Sequence, residues 1–388
     1  MRKINIIIAL FLLLGNSAWA QTETDTISLK DIDIPSSPAF ILLDQTPTTI
    51  ERPSSSRAFV LSILNSFQDN NGMPKNYAAD FTPFWFFKHP NMTSLKFAGY
   101  NVNKNRQRIF GNIERASFSF AFITTTDTLT QKPVNNLSLG LRVNLISIRS
   151  KKDIDDIKNA NKKLIAYIKE RDAKFQEYQD SIKRVINDTL PLPLKYSQPA
   201  IYKQAAQDFF ENYSNGKESN ESTLKEILAR KPVFAIDGAL GYNTFFLDNK
   251  FSENHFGRLG VWLTLNYAQP LDKGGSAKNY FNLYAIGRYL SDGTTIENGN
   301  YKKVDNYDVG GKIEFELKKI SIGYEYIYRV NNISNTFRSN GLLKYKVSDQ
   351  VFLTGAFGKN FGDSNNLISL LGINWGFSTG NEKATVKE

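Results

Sequence analysis

Residues 307–329 read Tyr-Asp-Val-Gly-Gly-Lys-Ile-Glu-Phe-Glu-Leu-Lys-Lys-Ile-Ser-Ile-Gly-Tyr-Glu-Tyr-Ile-Tyr-Arg. Tyr307, Val309, Ile313, Phe315 and Leu317 fall on odd positions, and Asp308, Lys312, Glu314 and Glu316 on even ones. After Lys318-Lys319 the phase restarts, with Ile320, Ile322, Tyr324, Tyr326 and Tyr328 alternating against Ser321, Gly323, Glu325 and Arg329. Side chains alternate faces along a strand, so each segment carries one apolar, aromatic-rich face and one charged face. A soluble sandwich also alternates. A nearly unbroken apolar face opposite full charges and glycines instead fits strands with lipid outside and a polar interior. If Lys318-Lys319 is a two-residue turn, Leu317 faces Ile320, Lys312 faces Glu325 and Asp308 faces Arg329.

Outward from this hairpin, similar segments are predicted near 77–87, 95–100, 113–123, 134–148, 233–247, 256–268, 279–290, 337–347, 351–361 and 366–378. The expected fold class is therefore an all-β transmembrane barrel of about 12 antiparallel strands with an inserted helical hairpin, against a secreted β-sandwich as the alternative. The first barrel strands would lie in 77–149 and the rest in 231–378. Residues expected to face the lumen are Arg142, Arg258, Arg288, Asp308, Lys312, Glu314, Glu325, Arg329, Arg338 and Lys344. Charges paired across the wall would make the interior narrow.

The insertion, residues 151–230, breaks the pattern. From Ile154 to Val185 a heptad runs without a slip, through Ile154, Asn161, Ile168, Phe175 and Ile182 and through Ile157, Leu164, Arg171, Tyr178 and Val185. Asn161 and Arg171 are its polar interruptions. Shorter helices over 199–213 and 222–230 would cover its seam, or the long helix would dock a periplasmic protein. A barrel chain ends in the periplasm, so counting strands back places the insertion there. The same count makes Lys318-Lys319 and 348–350 inner turns, and 248–255 and 291–304 longer outer loops.

At the N-terminus, Arg2 and Lys3 precede an apolar run from Ile4 to Leu14 and then Ala18-Trp19-Ala20. This pattern predicts a secretory signal peptide over residues 1–20. Residues 21–53 read as an extended, Pro-rich segment around the apolar Phe40-Ile41-Leu42-Leu43. Residues 54–70 read as an amphipathic helix, with Val60, Ile63, Leu64 and Phe67 on one stripe, either plugging the lumen or capping it. Residues 379–388 form a polar tail.

Composition agrees with this picture. A mean hydropathy of −0.36 is too polar for a helical membrane protein but ordinary for a barrel with a wet interior. The absence of cysteine excludes disulfides and thiolate chemistry. The net charge of +10 points toward lipid phosphates or other anions rather than nucleic acid, for which no motif is present. His89 and His255 are the two histidines, both expected near outer loops, and no metal or other cofactor is expected. His255, after Ser252-Glu253-Asn254, leaves a lipid-modifying enzyme as a lesser alternative.

Ser37-Pro-Ala-Phe40, Pro47, Ile50, Arg52-Pro53 and then Ala79-Asp-Phe-Thr-Pro83-Phe84-Trp85 carry a resemblance over about 50 residues. The chain resembles a group of bacterial, Bacteroidota-like outer-membrane β-barrel proteins of uncharacterised activity with a Pro-rich N-terminal segment. That resemblance implies the barrel and an outer-membrane location, and no catalytic residues. A departure is the tail after Phe377, where many such barrels end on an aromatic residue. The functional expectation is a channel or uptake barrel for small solutes in outer-membrane lipid. The alternative is a non-conducting assembly subunit whose helices at 151–230 bind a periplasmic partner.

Overall fold

The computed structural model describes residues 26–28, 39, 42, 49–50, 77–87, 89, 91–110, 116–127, 129–189, 204, 209, 219–272, 279–347, 351–362, 367–375 and 383–385. The signal-peptide segment and the amphipathic helix at 54–70 lie outside the described residues.

The chain is mostly antiparallel sheet. In chain order the strands are β1 (Thr26–Ser28), β2 (Thr49–Ile50), β3 (Tyr77–Phe81), β4 (Tyr100–Asn101), β5 (Arg106–Gln107), β6 (Ser117–Thr126), β7 (Pro133–Ile148) and β8 (Phe234–Phe246). They continue as β9 (Asn254–Pro270), β10 (Asn279–Glu297), β11 (Asn300–Leu317), β12 (Ile320–Asn331), β13 (Asn335–Lys346), β14 (Val351–Lys359), β15 (Leu367–Trp375) and β16 (Lys383–Thr385). One sheet holds twelve of them, in the order β2-β15-β14-β13-β12-β11-β10-β9-β8-β7-β6-β3. Sequence neighbours pair throughout from β6 to β15, as short connections favour.

Eleven of the sheet's strands pair antiparallel, where about twelve were expected, and the members also differ from expectation. Residues 95–100 are not a wall strand: Thr93 caps a helical turn, α1 (Ser94–Phe97), by accepting a hydrogen bond from the Lys96 N–H. The segment 77–87 stops at Phe81, where Pro83 opens a 3-10 turn, as a proline without an N–H must do to a ladder. The twelfth place goes to β2, which pairs in parallel with β15 through Ile373↔Thr49 and Asn374↔Ile50. At the opposite end of the order, β3 comes within 8 Å of β2 between Cα atoms.

The 307–329 hairpin has the register its sequence implies. Leu317 faces Ile320, Lys312 faces Glu325 and Asp308 faces Arg329. Lys318 takes a positive φ of 39° to turn in two residues, a conformation lysine adopts at some cost. The loop expected over 291–304 is mostly strand instead. β10 and β11 run on past a bulge at Asp292/Thr295 to a two-residue turn, Asn298-Gly299, with both residues at positive φ. That is the turn that matches strand twist. The sheet therefore sends a long two-stranded finger out at this end, here termed the hairpin end.

The other end carries the insertion. Helix α2 (Lys151–Thr189) is 39 residues, about 58 Å at 1.5 Å per residue. Ser150 caps it, its Oγ accepting from the Asp153 N–H at 3.0 Å and donating to the Asp153 carboxylate at 2.6 Å. Its first half is the seam of a small core. Ile154, Ile157, Ala160 and Leu164 pack with Leu224, Ile227 and Leu228 of helix α3 (219–228) and with Phe84, Met92, Leu95, Phe97 and Tyr100. Helix α3 covers the seam as expected of 222–230, but not alone: the stretch between β3 and β6 supplies part of the same core. The polar Asn161 fits because Ser94 Oγ donates to its Oδ1 at 2.8 Å. In the second half of α2, Phe175 and Tyr178 meet Phe209 at 5.2 and 5.6 Å between ring centroids.

The N-terminal stretch is not uniformly extended. β1 pairs with β16, Thr26↔Thr385 to Ser28↔Lys383, so part of the polar tail is strand. Ala39 and Leu42 are helical and buried. Among the described residues no helix is long and apolar enough to cross a membrane.

Candidate functional site

The two faces of the sheet differ sharply. On one, Phe118, Leu139, Leu240, Val261, Leu283, Val309, Ile322, Tyr324, Leu343 and Phe357 are exposed. On the other, Ser119, Ser138, Asn243, Asn282, Arg288, Asp308, Arg329 and Asn340 are buried. Burying charge is costly unless each ion is paired and hydrogen-bonded, and this face meets that condition through a ladder of carboxylates.

Asp308, 1% exposed, sits between two guanidiniums. Arg288 Nε donates to it at 2.7 Å, and Arg329 donates through Nε at 2.7 Å and Nη2 at 3.0 Å. The Arg329 guanidinium also lies 3.7 Å from the centre of the Phe361 ring. Arg338 holds Glu325 at 2.8 Å, Lys312 holds Glu314 at 2.8 Å, and Arg142 meets Asp237 at 3.3 Å. Arg258 pairs with Asp292 at 2.9 Å. Lys231 pairs with Glu316, which also accepts from Asn282. Lys344 stands on the same face, opposite Ser321.

The ten residues singled out in the sequence share this one face of the sheet. Asp308 and Arg329 pair directly, whereas facing Lys312 and Glu325 do not: each takes a neighbour, Lys312 the glutamate two residues on and Glu325 the diagonal Arg338. The partners Asp237, Asp292, Glu316 and Lys231 were not anticipated. Asp237 is in phase within β8 and was readable. Asp292 lies beyond the point where alternation was followed, in the extension of β10.

A second element lies on this face. The Ala39 N–H donates to Ser119 Oγ at 3.1 Å, Ser138 Oγ donates to the Ala39 carbonyl at 2.7 Å, and Arg258 Nη1 donates to the Leu42 carbonyl at 2.8 Å. The Leu42 side chain, 1% exposed, packs against Trp262 and Leu290. It enters a gap made by Gly241 and Gly260, which face each other across β8 and β9. A Cβ on Gly241 would stand 2.3 Å from Leu42 Cδ1, and one on Gly260 2.9 Å from Leu42 Cδ2. Two glycines thus form a socket for one leucine. Sequence reading noted the apolar run around Leu42 but had no means to seat it.

At the insertion end, half-buried Arg149 joins sheet to helices. Its guanidinium donates to the Arg230 carbonyl at 2.7 Å and the Leu228 carbonyl at 3.0 Å, closing the C-terminus of α3. Burial presses its pKa down, although Asp153 works against this. Arg230 in turn grips Asp153 at 2.9 Å and Asp156 at 2.6 Å on the first two turns of α2. The start of α2, the end of α3 and the sheet are therefore tied at one joint.

The histidines lie at opposite ends, which corrects the expectation that both sit near outer loops. His89 belongs to the β3–β6 connection at the insertion end and stacks on Phe84 at 3.7 Å. His255 is at the hairpin end, stacked on Phe245 at 5.5 Å and near Tyr301. They share no site. Burial and neighbouring Asp127 push the Tyr301 hydroxyl up to about 12. Among the described residues no group of three or more metal-ligating side chains converges. No family model, curated protein or solved structure matches this chain.

Proposed function

We propose that the twelve-stranded sheet closes into an outer-membrane β-barrel, β2 bridging β15 and β3, and that it is a channel or uptake barrel for small solutes. The observation that carries the location is the inversion of the faces. Exposed Tyr, Phe, Leu, Ile and Val would be poorly tolerated across so wide a surface in water but are what lipid requires of a spanning strand. The passage is supported by the facing glycines Gly241 and Gly260: the wall leaves space there rather than filling it with its own side chains. Arg142, Arg258, Arg288, Arg329 and Arg338 would bias it toward anionic solutes only weakly, because every one is paired with a carboxylate, Arg288 and Arg329 sharing that of Asp308.

The test is conductance of purified, reconstituted protein in a planar bilayer. Discrete, salt-dependent current steps support a passage; a correctly inserted but silent barrel, even with the N-terminal segment displaced, would refute it. A second reading, a membrane anchor for a periplasmic partner of 151–230, is favoured by the joint of Arg149, Arg230, Asp153 and Asp156, which fixes the long helix relative to the sheet. Under that reading, deleting 154–228 removes the partner from cross-linked complexes while the barrel still inserts.

A further inference from the structure

We propose that Gly241 and Gly260, with Ser119, Ser138, Arg258 and Trp262, form a peptide-binding site whose resident occupant is the chain's own Ala39–Leu42 segment. The proposal deepens the channel reading and rests on it. Three polar contacts hold Ala39 and Leu42 by their main chain: one hydroxyl accepts the Ala39 N–H, one hydroxyl donates to the Ala39 carbonyl, and a guanidinium donates to the Leu42 carbonyl. Main-chain contacts are blind to side-chain identity. Selection is therefore left to the socket, which takes one branched apolar side chain against Trp262 and Leu290 and leaves no room for a Cβ on either glycine. Arg258 is held for its task by Asp292 at 2.9 Å. A chemistry of this kind recognises a short apolar peptide carrying leucine or a side chain like it. Ala39 and Leu42 lie 80 to 216 residues from these partners in sequence and belong to no strand of the sheet, as a tethered ligand would. Its departure would clear the interior beside β8 and β9.

Three forms of the cysteine-free protein test this in planar bilayers: the unaltered chain, Leu42→Asp, which leaves the socket intact but cannot fill it, and Gly241→Ala, which crowds the socket. Both variants should raise the open fraction by on the order of tenfold or more, since each removes a contact made only in the closed form. A synthetic peptide of residues 36–46 should close Leu42→Asp again and leave Gly241→Ala open, while the same peptide with aspartate for leucine does nothing. Equal open fractions in all three forms overturn the site yet leave the channel reading standing. If none conducts, the channel reading fails and the site is judged separately by Ala39→Cys with Ser138→Cys. That pair should form a disulfide in the otherwise unaltered chain and lose it with Leu42→Asp. A pair that stays reduced, or one that forms regardless of residue 42, refutes the seating.

Discussion

Two parts of this molecule bury opposite kinds of side chain. In the core between α2, α3 and the β3–β6 connection, Ile157, Leu164, Leu224 and Leu228 are fully buried while lysines and glutamates of the same helix face out. In β10 to β13 the reverse holds: Asp308 is 1% exposed and Val309 beside it 69%. Identical alternation rules act in both places, so the difference teaches that alternation assigns a side chain to a face without saying what that face meets. Water rewards the first arrangement through apolar burial. The second is the arrangement the membrane proposal explains, with each charge on the buried face given a partner.

The largest effect should come from breaking a partner on the charged face. Asp308→Asn removes the anion between Arg288 and Arg329 and leaves two guanidiniums crowded together. A cost of about 3–5 kcal/mol is expected for an ion stripped of its buried partner, read as a shift in the denaturant midpoint of the protein in lipid vesicles. An unchanged midpoint would mean that water reaches this face freely.

Next is the helical core. Leu164→Ala should cost that subdomain about 2–5 kcal/mol, the range for a leucine truncated in a packed interior. Its melting would be followed by helical circular dichroism while the sheet signal stays in place. Loss of both signals together would show that the joint at Arg149 and Arg230 couples sheet and helices into one cooperative unit.

The sharpest comparison comes from placing one charge on the exposed apolar face. Ile313, 43% exposed, lies mid-row in β11. Under the membrane reading Ile313→Arg costs about 2–4 kcal/mol in a bilayer. On a face open to water the same change would stay within about 0.5 kcal/mol. Unfolding in vesicles decides between them.

The smallest effect belongs to the hairpin end, which resembles neither region. Asp127 ends β6, and its carboxylate accepts from the Thr130 N–H and hydroxyl, both at 2.6 Å. Burial works against its ionised form, but these hydrogen bonds prevail and hold its pKa below the ordinary 3.8. Because the folded value is the lower one, the stabilisation is complete above pH 3.8 and is lost as pH falls through the folded value. Amide exchange at Thr130 should quicken in that acid window, and Asp127→Asn should abolish the pH dependence.

How far the sequence reached follows from the range of each interaction. The β11–β12 register was readable because a two-residue turn fixes it locally, and the ten polar-face residues because phase alone assigns a face. Which ion each cation takes was not readable: facing Lys312 and Glu325 both prefer other partners, a matter of side-chain reach that phase does not encode. The extension of β10 past Leu290 was missed because Ser291-Asp292-Gly293 looks like a loop, and there a bulge lets the ladder continue. Seating Leu42 needed Gly241 and Gly260 to be brought together first. Glycine in a strand reads as a weak point until the thing that occupies its empty side is known.

The pairing of β1 with β16 sets an order of events. Thr26 finds Thr385, and Thr49 finds Ile373, only after β15 has been made, so both pairings that flank Ala39 and Leu42 in sequence are tied after strands β3 to β14 exist. Such a long-range ribbon forms late, because the chain must be closed over its whole length before those contacts return anything. The socket at Gly241 and Gly260, built by β8 and β9, can therefore be complete before either of these pairings is made. A newly made molecule should pass through a stage in which a competing peptide has its best chance of entry.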